Sequence, residues 1–274
     1  MAGDDGTPPP SAELRTDIAH PARIYNAWLG GKDHFPADRS VADHLARMTP
    51  DVVASARANR AFLGRAVRAV SALGVRQFLD IGTGIPAAGN THEVAQSVDR
   101  SARVAYVDND PIVLAHARAL MNGPGHGATT VTQADLRDPE AILAAPGVRG
   151  LLDLSEPVAL VLVAVLHFVS DEEDPQGIVK RLLSALAPGS VLVLSHGTDD
   201  TLDRATAAEV AHSYDRAAAH LHLRPKAAVE RLFAGTELLE PGVVLVPYWR
   251  PSEPLGPDAD RLGVYGGVGV LRAD

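Results

Sequence analysis

From Gly74 to about residue 196, short apolar runs alternate with amphipathic stretches, and this alternation constrains the fold more than any other feature. Each run is rich in valine, leucine or isoleucine and precedes a segment with helical periodicity. The runs are Gln77–Ile81, Arg103–Val107, Thr129–Gln133, Val158–Leu166 and Val191–Ser195. The helical segments are Thr91–Val98, Pro111–Met121, Pro139–Ala145, Pro175–Leu186 and Leu202–His220. Strands that alternate with helices predict a parallel sheet covered on both faces.

After residue 196 the alternation ends. Val243–Tyr248 and Gly263–Leu271 have strand patterns and are separated only by a segment rich in proline and glycine. Because strands joined without a helix usually pair antiparallel, we expect these two to form an antiparallel pair at one edge of the sheet. The intervening segment Thr206–Ala234 is expected to be largely helical and broken near Pro225.

The chain before Gly74 has a different character. Residues 1–20 contain three successive prolines and lack the basic start and apolar centre of a secretion signal, so we expect a disordered tail. Residues 21–73 are helical in pattern, which predicts an N-terminal cap on an α/β core formed by residues 74–274. Together, residues 21–274 are expected to form a single domain. Arginines 57, 60, 65 and 68 share one helical face, which is typical of a solvated surface.

Charge and composition exclude several classes of function. The net charge of -9 and the pI near 5.6 argue against nucleic acid as a partner, because a phosphate backbone requires a clustered basic surface. The absence of cysteine excludes thiolate metal sites, and the 11 histidines lack metal-ligand spacing. The longest apolar run, Val158–Leu166, is far shorter than the roughly 20 residues that span a bilayer. We therefore expect a cytoplasmic protein with neither a metal nor a membrane partner.

A glycine loop follows the first predicted strand and contains Asp80, Gly82, Thr83 and Gly84. Ligands of open α/β sheets bind at the carboxyl ends of strands, and glycine lets the backbone turn sharply and approach a ligand closely. With Ala87, the two glycines also match the GxGxxG/A dinucleotide pattern. An NAD(P)- or flavin-dependent oxidoreductase is therefore one interpretation of this loop.

Two neighbouring residues favour a different cofactor. Asp80 would repel a pyrophosphate but could accept hydrogen bonds from a cationic amino group. Pro86 removes a backbone N–H that would otherwise hold a phosphate. S-adenosylmethionine carries an amino group and no phosphate. The loop therefore predicts binding of S-adenosylmethionine.

Acidic residues also follow the second and third predicted strands. Asp108, with its neighbour Asn109, lies where a carboxylate accepts hydrogen bonds from ribose hydroxyls in both cofactor classes. Asp110 is expected to act only as an N-cap before Pro111. Asp135 and Leu136 lie where an acidic side chain could accept a hydrogen bond from the adenine amino group, which is characteristic of methyltransferases.

His167 follows the fourth predicted strand, where methyltransferases bring residues beside the transferred methyl group. It could orient the acceptor or act as a base, and we name it as the candidate catalytic residue. A strand-end histidine that only hydrogen-bonds the backbone is the alternative.

Beside these motifs, the segments Pro21–Phe35, Asn59–Leu63 and Val163–Phe168 resemble the S-adenosylmethionine-dependent methyltransferase-like family of high-GC bacteria known as domain of unknown function 574. The resemblance covers nearly the whole chain after the tail. It implies a Rossmann-like class I methyltransferase fold, with a mostly parallel sheet, an antiparallel C-terminal strand pair and bound methyl donor. It implies no particular acceptor.

The most specific of these segments has the composition of a lid. Between Tyr25 and Phe35, aromatic side chains offer contact surface and Gly30–Gly31 offers a hinge. Lys32 and Asp33 can pair with the zwitterionic methionine end of the cofactor. We therefore include Tyr25, Lys32 and Asp33 among the predicted cofactor-binding residues. A helix that simply packs on the sheet is the alternative.

Taken as a whole, the sequence predicts an S-adenosylmethionine-dependent methyltransferase that acts on an unidentified small-molecule acceptor. Direct displacement at the sulfonium requires alignment of the acceptor and exclusion of water, so a strong base is optional. A non-catalytic S-adenosylmethionine-binding protein is a further alternative, because the same cofactor motifs would be present. The sequence makes no prediction of oligomeric state.

Overall fold

The computed structural model describes residues 15–121, 128–214 and 217–272, and these residues form one mixed sheet flanked by helices. The strands are β1 (Gln77–Ile81), β2 (Arg103–Asp108), β3 (Thr129–Gln133), β4 (Ala159–Val163), β5 (Val191–Gly197), β6 (Thr236–Leu238), β7 (Val244–Leu245) and β8 (Val264–Leu271). Their order is β3-β2-β1-β4-β5-β8-β6, and β7 pairs with β8 outside this path. Strands β1 to β5 are mutually parallel, whereas the C-terminal strands are antiparallel. The predicted fold class is confirmed.

The helices of the described residues precede and follow these strands. They are α1 (Pro21–Trp28), α2 (Pro36–Met48), α3 (Val52–Ala72), α4 (Thr91–Val98), α5 (Pro111–Met121), α6 (Pro139–Ala144), α7 (Pro146–Arg149), α8 (Pro175–Ser184), α9 (Arg204–Ser213) and α10 (Lys226–Arg231). Helices α1, α2, α6, α7 and α8 have proline in the first turn, where the missing N–H costs nothing.

The sheet is buried on both faces because successive strand residues point to opposite sides. Leu79 and Ile81 of β1 pack with Leu182 of α8 on one face. Phe78 packs with Val67 of α3 on the other face. Burial on both sides explains why the parallel strands appear in the sequence as nearly continuous apolar runs. Helix α3, which the sequence assigns to the N-terminal cap, therefore also covers the sheet.

The C-terminal strands differ in detail from the prediction. The expected antiparallel pairing of the last two runs is present as β7 with β8, but β7 has only two residues. Val246–Tyr248 instead forms a 3₁₀ turn, because Pro247 has no N–H to extend the ladder. Strand β8 lies between β5 and β6 rather than at an edge, and β6 was not predicted.

The fourth predicted strand ends earlier than expected. Strand β4 stops at Val163, and Ala164 adopts a positive φ of 56°. The Ala164 N–H donates to the Ser195 carbonyl and hydroxyl at 3.1 and 3.0 Å, which holds this turn. Leu166–Phe168 then forms a 3₁₀ turn, so His167 lies on this turn rather than at a strand end.

The helix expected at Leu202–His220 is also shorter, since α9 ends at Ser213. Residues 217–225 are not helical, and in Thr206–Ala234 only α9 and α10 are helices among the described residues. The backbone groups of the non-helical segment bond elsewhere: Ala218 N–H donates to the Ala19 carbonyl at 2.8 Å, and His222 N–H to the His167 carbonyl at 2.7 Å. The prediction of a largely helical segment was therefore wrong.

A buried cluster of charges fastens the N-terminal helices to the sheet. Arg23 on α1 lies 3.6 Å from the Asp38 carboxylate of α2 and 3.5 Å from that of Asp110, which precedes α5. Asp38 accepts backbone N–H bonds from His20 and Phe35 at 2.8 and 2.7 Å. The cluster therefore connects α1, α2 and the end of β2.

The same cluster includes a residue from the predicted tail, His20. Residues 1–14 lie outside the described residues. Ala19 is buried and the His20 side chain lies 3.2 Å from Asp110, so the segment next to α1 is packed rather than disordered. The expected N-cap role of Asp110 is present as well, because Asp110 accepts from the Ile112 N–H at 2.9 Å.

Replacement of Asp38 tests this cluster. We expect Asp38→Ala to lower the free energy of unfolding by about 3 kcal/mol, because it leaves Arg23 short of a buried partner and two N–H groups unpaired. Asp43→Ala, at an exposed carboxylate on the same helix, is the matched control and should change stability by less than about 0.5 kcal/mol. Urea unfolding of both variants measures the difference, and equal stabilities would contradict the structural role of the cluster.

Candidate functional site

One large cavity follows the carboxyl edge of the parallel strands. Its volume is about 480 Å³, within the range of small-molecule sites. The loops after β1, β2 and β3 form one end, and the residues after β4 and β5 form the other. Helices α1, α2 and α3 close the cavity from the N-terminal side. The cavity lies where ligands of open α/β sheets bind.

Ten of the sequence-predicted site residues line this single cavity. They are Tyr25, Asp80, Gly82, Thr83, Gly84, Asp108, Asn109, Asp135, Leu136 and His167. The structure therefore brings together side chains that are separated by more than one hundred residues in the chain.

The glycine loop already uses most of its backbone donors within the protein. Gly82 N–H donates to the Val107 carbonyl at 2.8 Å, and Gly84 N–H donates to Asp108 Oδ2 at 2.9 Å. Gly82 has a φ of +73°, and a Cβ there would collide with the Val165 side chain, so this position requires glycine. Ala87 N–H donates to Asn90 at 3.1 Å. Few N–H groups are therefore free to bind a phosphate.

Asp80 is a buried carboxylate at the end of β1. Its Oδ2 accepts a 2.6 Å hydrogen bond from the Thr91 hydroxyl at the start of α4. Burial raises the pKa of Asp80 to about 6, although the Thr91 hydrogen bond and the charge of Arg60 act in the opposite direction. A cationic ligand group beside Asp80 would favour its ionised form.

Asp108 is the corresponding carboxylate of β2, and it is 5% exposed. One oxygen accepts from Gly84 N–H at 2.9 Å and the other from Asp110 N–H at 3.0 Å. Burial raises the pKa of Asp108 to about 6, against the effect of these two backbone donors. Each oxygen keeps further acceptor capacity, since an ionised carboxylate has about four lone-pair sites.

Asp135 lies at the third strand end in a more solvated setting. Its oxygens accept from Asn109 Nδ2 at 3.3 Å and from the Arg137 guanidinium at 3.1 and 3.2 Å. Leu136, 7% exposed, lies beside it in the cavity wall. Arg137 was not among the predicted site residues, and it shares this carboxylate with any ligand that approaches it.

Tyr25 lines the cavity and is held by a chain of hydrogen bonds. Its hydroxyl donates to the Ala56 carbonyl at 2.8 Å and accepts from Asn59 Nδ2 at 3.0 Å. Asn59 Oδ1 accepts a 2.6 Å bond from the Ser195 hydroxyl of β5. These hydrogen bonds connect α1, α3 and the sheet, so Tyr25 has a fixed position relative to the strand ends.

Lys32 and Asp33 do not reach this cavity. Both are exposed, and the Asp33 carboxylate lies 3.9 Å from His116 on α5 instead. Asp33 N–H donates to Asn26 Oδ1 at 3.1 Å, and Gly31 N–H donates to the Asn26 carbonyl at 2.9 Å. These bonds fix the segment after α1, and neither Lys32 nor Asp33 is among the residues that line the cavity.

His167 lies in the wall on the far side of the cavity. Its Nδ1 accepts from Gly197 N–H at 3.1 Å, so the neutral ring carries its proton on Nε2. Burial, together with the charges of His196 and Arg224, holds the pKa of His167 well below its usual range. The one nitrogen that could take a proton is already bonded. The ring therefore suits a hydrogen-bond donor rather than a general base.

Two arginines from the stripe predicted to be solvated have structural roles. Arg60 Nη2 donates to the Ala87 carbonyl at 3.0 Å and to Asn90 Oδ1 at 2.9 Å, which fastens α3 to the glycine loop. Arg65 donates to the carbonyls of Trp249 and Val246 at 2.9 and 2.6 Å. Helical periodicity could not reveal these roles, because the acceptors come from distant loops.

Among the residues that the structure describes, no helix is both long and apolar enough to cross a bilayer. Over the same residues, no three histidine, aspartate or glutamate side chains are grouped so that they could hold a metal ion.

Comparisons with known proteins identify the same class. The profile of a family described as S-adenosyl methyltransferase matches residues 8–272. A DUF574 family protein from Streptomyces avermitilis MA-4680 is 44% identical, with a TM-score of 0.90, and the match covers 94% of this chain and 99% of that one. A candidate methyltransferase from Thermobifida fusca YX is 41% identical, with a TM-score of 0.88 and coverage of 96% and 99%. No curated protein matches the chain significantly.

Asp80→Asn tests the burial of charge in this site. We expect the variant to be more stable than the wild type at pH 7, by up to about 3 kcal/mol. Folding raises the pKa of Asp80 from 3.8 to about 6, and a rise of this size corresponds to that free energy. Below pH 3.8 the carboxyl group is protonated in both folded and unfolded chains. As pH rises towards 6 the unfolded chain loses this proton first, so wild-type stability falls relative to the variant.

Urea unfolding between pH 4 and pH 8 measures this difference. Asp43→Asn, at an exposed carboxylate of α2, is the matched control and should follow the wild type at every pH. If Asp80→Asn also followed the wild type, Asp80 would not be the buried charge described above.

Proposed function

Because the chain belongs to the S-adenosyl methyltransferase family, we propose that it transfers the methyl group of S-adenosylmethionine to a small molecule bound in the cavity described above. The observation that carries this proposal is the convergence of two buried carboxylates, Asp80 and Asp108, on one cavity at the carboxyl ends of adjacent strands. The volume of the cavity is that of a small-molecule site, which favours a small acceptor.

The available donors and acceptors fit the cofactor group by group. Asp80 offers a carboxylate to the methionine ammonium, and Asp108 offers its remaining lone pairs to the ribose hydroxyls. Asn109 and Asp135 offer polar groups to the adenine, and Leu136 offers it an apolar contact. Gly82, Thr83 and Gly84 provide a backbone surface without bulky side chains. Tyr25 covers the cofactor from the side of α1.

The same geometry argues against a dinucleotide. A pyrophosphate would need free N–H groups from the glycine loop, but Gly82, Gly84 and Ala87 already donate within the protein and Pro86 has no N–H. It would also meet the charge of Asp80, for which no ligand cation would compensate. The oxidoreductase interpretation therefore has no support from the contacts of this loop.

When bound, S-adenosylmethionine supplies a methyl group on a sulfonium: a lone pair of the acceptor forms the new bond to carbon as the carbon–sulfur bond breaks, and the electrons remain on sulfur. The chain must then hold the acceptor in line and exclude water. Tyr25 and the helices α1 and α2 close the cavity over the strand ends. His167 can donate a hydrogen bond from Nε2 to the acceptor. We propose this orienting role for His167 rather than proton abstraction.

Two carboxylate variants test the cofactor assignment. Asp108→Ala should bind S-adenosylhomocysteine about 10- to 150-fold more weakly, because it removes charge-assisted hydrogen bonds to the ribose. Asp80→Asn should weaken S-adenosylhomocysteine but leave NADH binding unchanged or improved, since only the ammonium gains from the carboxylate charge. Calorimetric titration of both variants with both ligands measures these effects, with Asp43→Asn as the control. A wild-type protein that binds NADH but neither S-adenosyl compound would overturn the proposal.

Hydrogen exchange tests the closure of the cavity. If Tyr25 contacts the cofactor, exchange of the backbone amides across Tyr25–Phe35 should slow when S-adenosylhomocysteine is added. Helix α8, which contributes no residue to the cavity wall, is an internal control and should show no change. Unchanged exchange in Tyr25–Phe35 at saturating ligand would mean that this segment packs on the sheet without contacting the cofactor.

Detection of methyl transfer to an acceptor would distinguish an enzyme from a protein that binds S-adenosylmethionine without catalysis. The small acceptor, the absence of a nucleic-acid partner and the cytoplasmic location stay predictions.

A further inference from the structure

The cavity is larger than the part of it that faces the predicted cofactor residues. Beyond β4 and β5, its wall is formed by α2, by α9 and by the non-helical segment after α9. We name this end the acceptor chamber. Its wall residues are Leu45, Met48, Phe168, Val210, Tyr214 and Leu221. All of them belong to one hydrophobic cluster, which is separate from the two clusters that cover the sheet.

Charged side chains are confined to the rim of the chamber. Asp51 and Arg261 pair with each other at 2.7 Å, and their side chains are 29% and 62% exposed. Asp203 is exposed and accepts N–H bonds from the first turn of α9. These charges are therefore already satisfied by protein or by water. A ligand that carried its own charge into the chamber would find no buried partner there and would lose its hydration.

His167 and Tyr214 offer hydrogen-bonding groups to the chamber. His167 has its proton on Nε2, because Nδ1 accepts from Gly197. The Tyr214 side chain is only 4% exposed, and burial raises its pKa above its usual range. Among the described residues, neither His167 Nε2 nor the Tyr214 hydroxyl has a hydrogen-bond partner. Neither atom is a fully buried, unpaired group, so both reach the space of the cavity, where a polar atom of a ligand can bind them.

The His167 and Tyr214 rings both pack against Phe168. The ring centroids of His167 and Phe168 are 4.4 Å apart, and those of Phe168 and Tyr214 are 5.8 Å apart. The two polar groups therefore belong to one aromatic stretch of the chamber wall, where a ligand can meet polar and apolar contacts together.

On the premise of the methyl-transfer function proposed above, we propose that the methyl acceptor is an uncharged, largely apolar small molecule whose hydroxyl group is bound by His167 and Tyr214. His167 Nε2–H donates to one lone pair of the hydroxyl oxygen. The other lone pair forms the bond to the methyl carbon as the carbon–sulfur bond breaks, the sulfur keeps that electron pair, and the hydroxyl proton passes to water at the rim of the cavity. The chamber walls supply the apolar contact that holds the remainder of the molecule.

Binding of three related probes tests the proposal. The probes are 2-naphthol, naphthalene and 2-naphthoate, and their fluorescence is titrated with protein that is already saturated with S-adenosylhomocysteine. We expect 2-naphthol to bind most tightly and 2-naphthoate at least about 10-fold more weakly, because the carboxylate has no buried partner. Ala219→Trp, which fills the cavity from the segment after α9, should abolish naphthol binding and leave S-adenosylhomocysteine binding intact.

Tyr214→Phe tests the polar contact separately. The variant removes no hydrogen bond among the described residues, so we expect it to fold as the wild type does. It should bind 2-naphthol about 3- to 10-fold more weakly and naphthalene equally well. Tyr248→Phe is the matched control, because the Tyr248 hydroxyl donates to Asp260 on the exposed surface, outside the cavity. This control should leave the affinities for both probes unchanged.

The outcomes separate this proposal from the function on which it rests. A protein that does not bind S-adenosylhomocysteine overturns the proposed function. A protein that binds S-adenosylhomocysteine but binds no naphthol, or prefers 2-naphthoate, overturns only the proposal of an uncharged, apolar acceptor. Equal loss of naphthol and naphthalene in Tyr214→Phe overturns the hydroxyl contact.

Discussion

Two aspartates, Asp80 and Asp108, are held out of water where β1 and β2 end, and the surrounding structure offsets only part of the cost of burying their charges. The Thr91 hydroxyl and the backbone of the glycine loop donate to these carboxylates. Arg60 adds a positive charge nearby and fastens the loop to α3. Both carboxylates line the cavity, where a cationic or hydrogen-bond-donating group beside them would favour their ionised forms.

The N-terminal helices depend on the same strand end. Asp110 follows Asp108 by two residues, caps α5 and lies beside Arg23, which also approaches Asp38. The charges that hold α1 and α2 are thus adjacent, through Asp110, to the Asp108 carboxylate in the cavity wall. A shift of the N-terminal helices would move Tyr25 as well as the buried charges. The helices that cover the cavity are therefore joined to its floor by these contacts.

On the other side of the cavity, a second set of buried polar groups keeps the chamber uncharged. Arg224 donates to Asp171 and to His196 Nε2, so His196 is neutral and carries its proton on Nδ1. Burial lowers the pKa of His196 to about 4. His167, beside it, is neutral for the same reason. The two ends of the cavity thus differ in charge: acidic groups face the predicted cofactor end, and neutral groups face the acceptor chamber.

The alternation of apolar runs with helical segments, and the position of the glycine loop after the first run, determined the sheet, its parallel strands and the location of Asp80 and Asp108. These features depend on neighbours in sequence, on local periodicity and on which end of a strand a residue occupies. Only the tertiary structure decided that β8 lies between β5 and β6 and that Arg60 holds the glycine loop. It also decided that Lys32 and Asp33 are not among the cavity-lining residues and that His167 has its Nδ1 already bonded. Each of these depends on a contact between residues far apart in the chain, where the free energy of packing and of satisfied hydrogen bonds, rather than any local pattern, selects the partner.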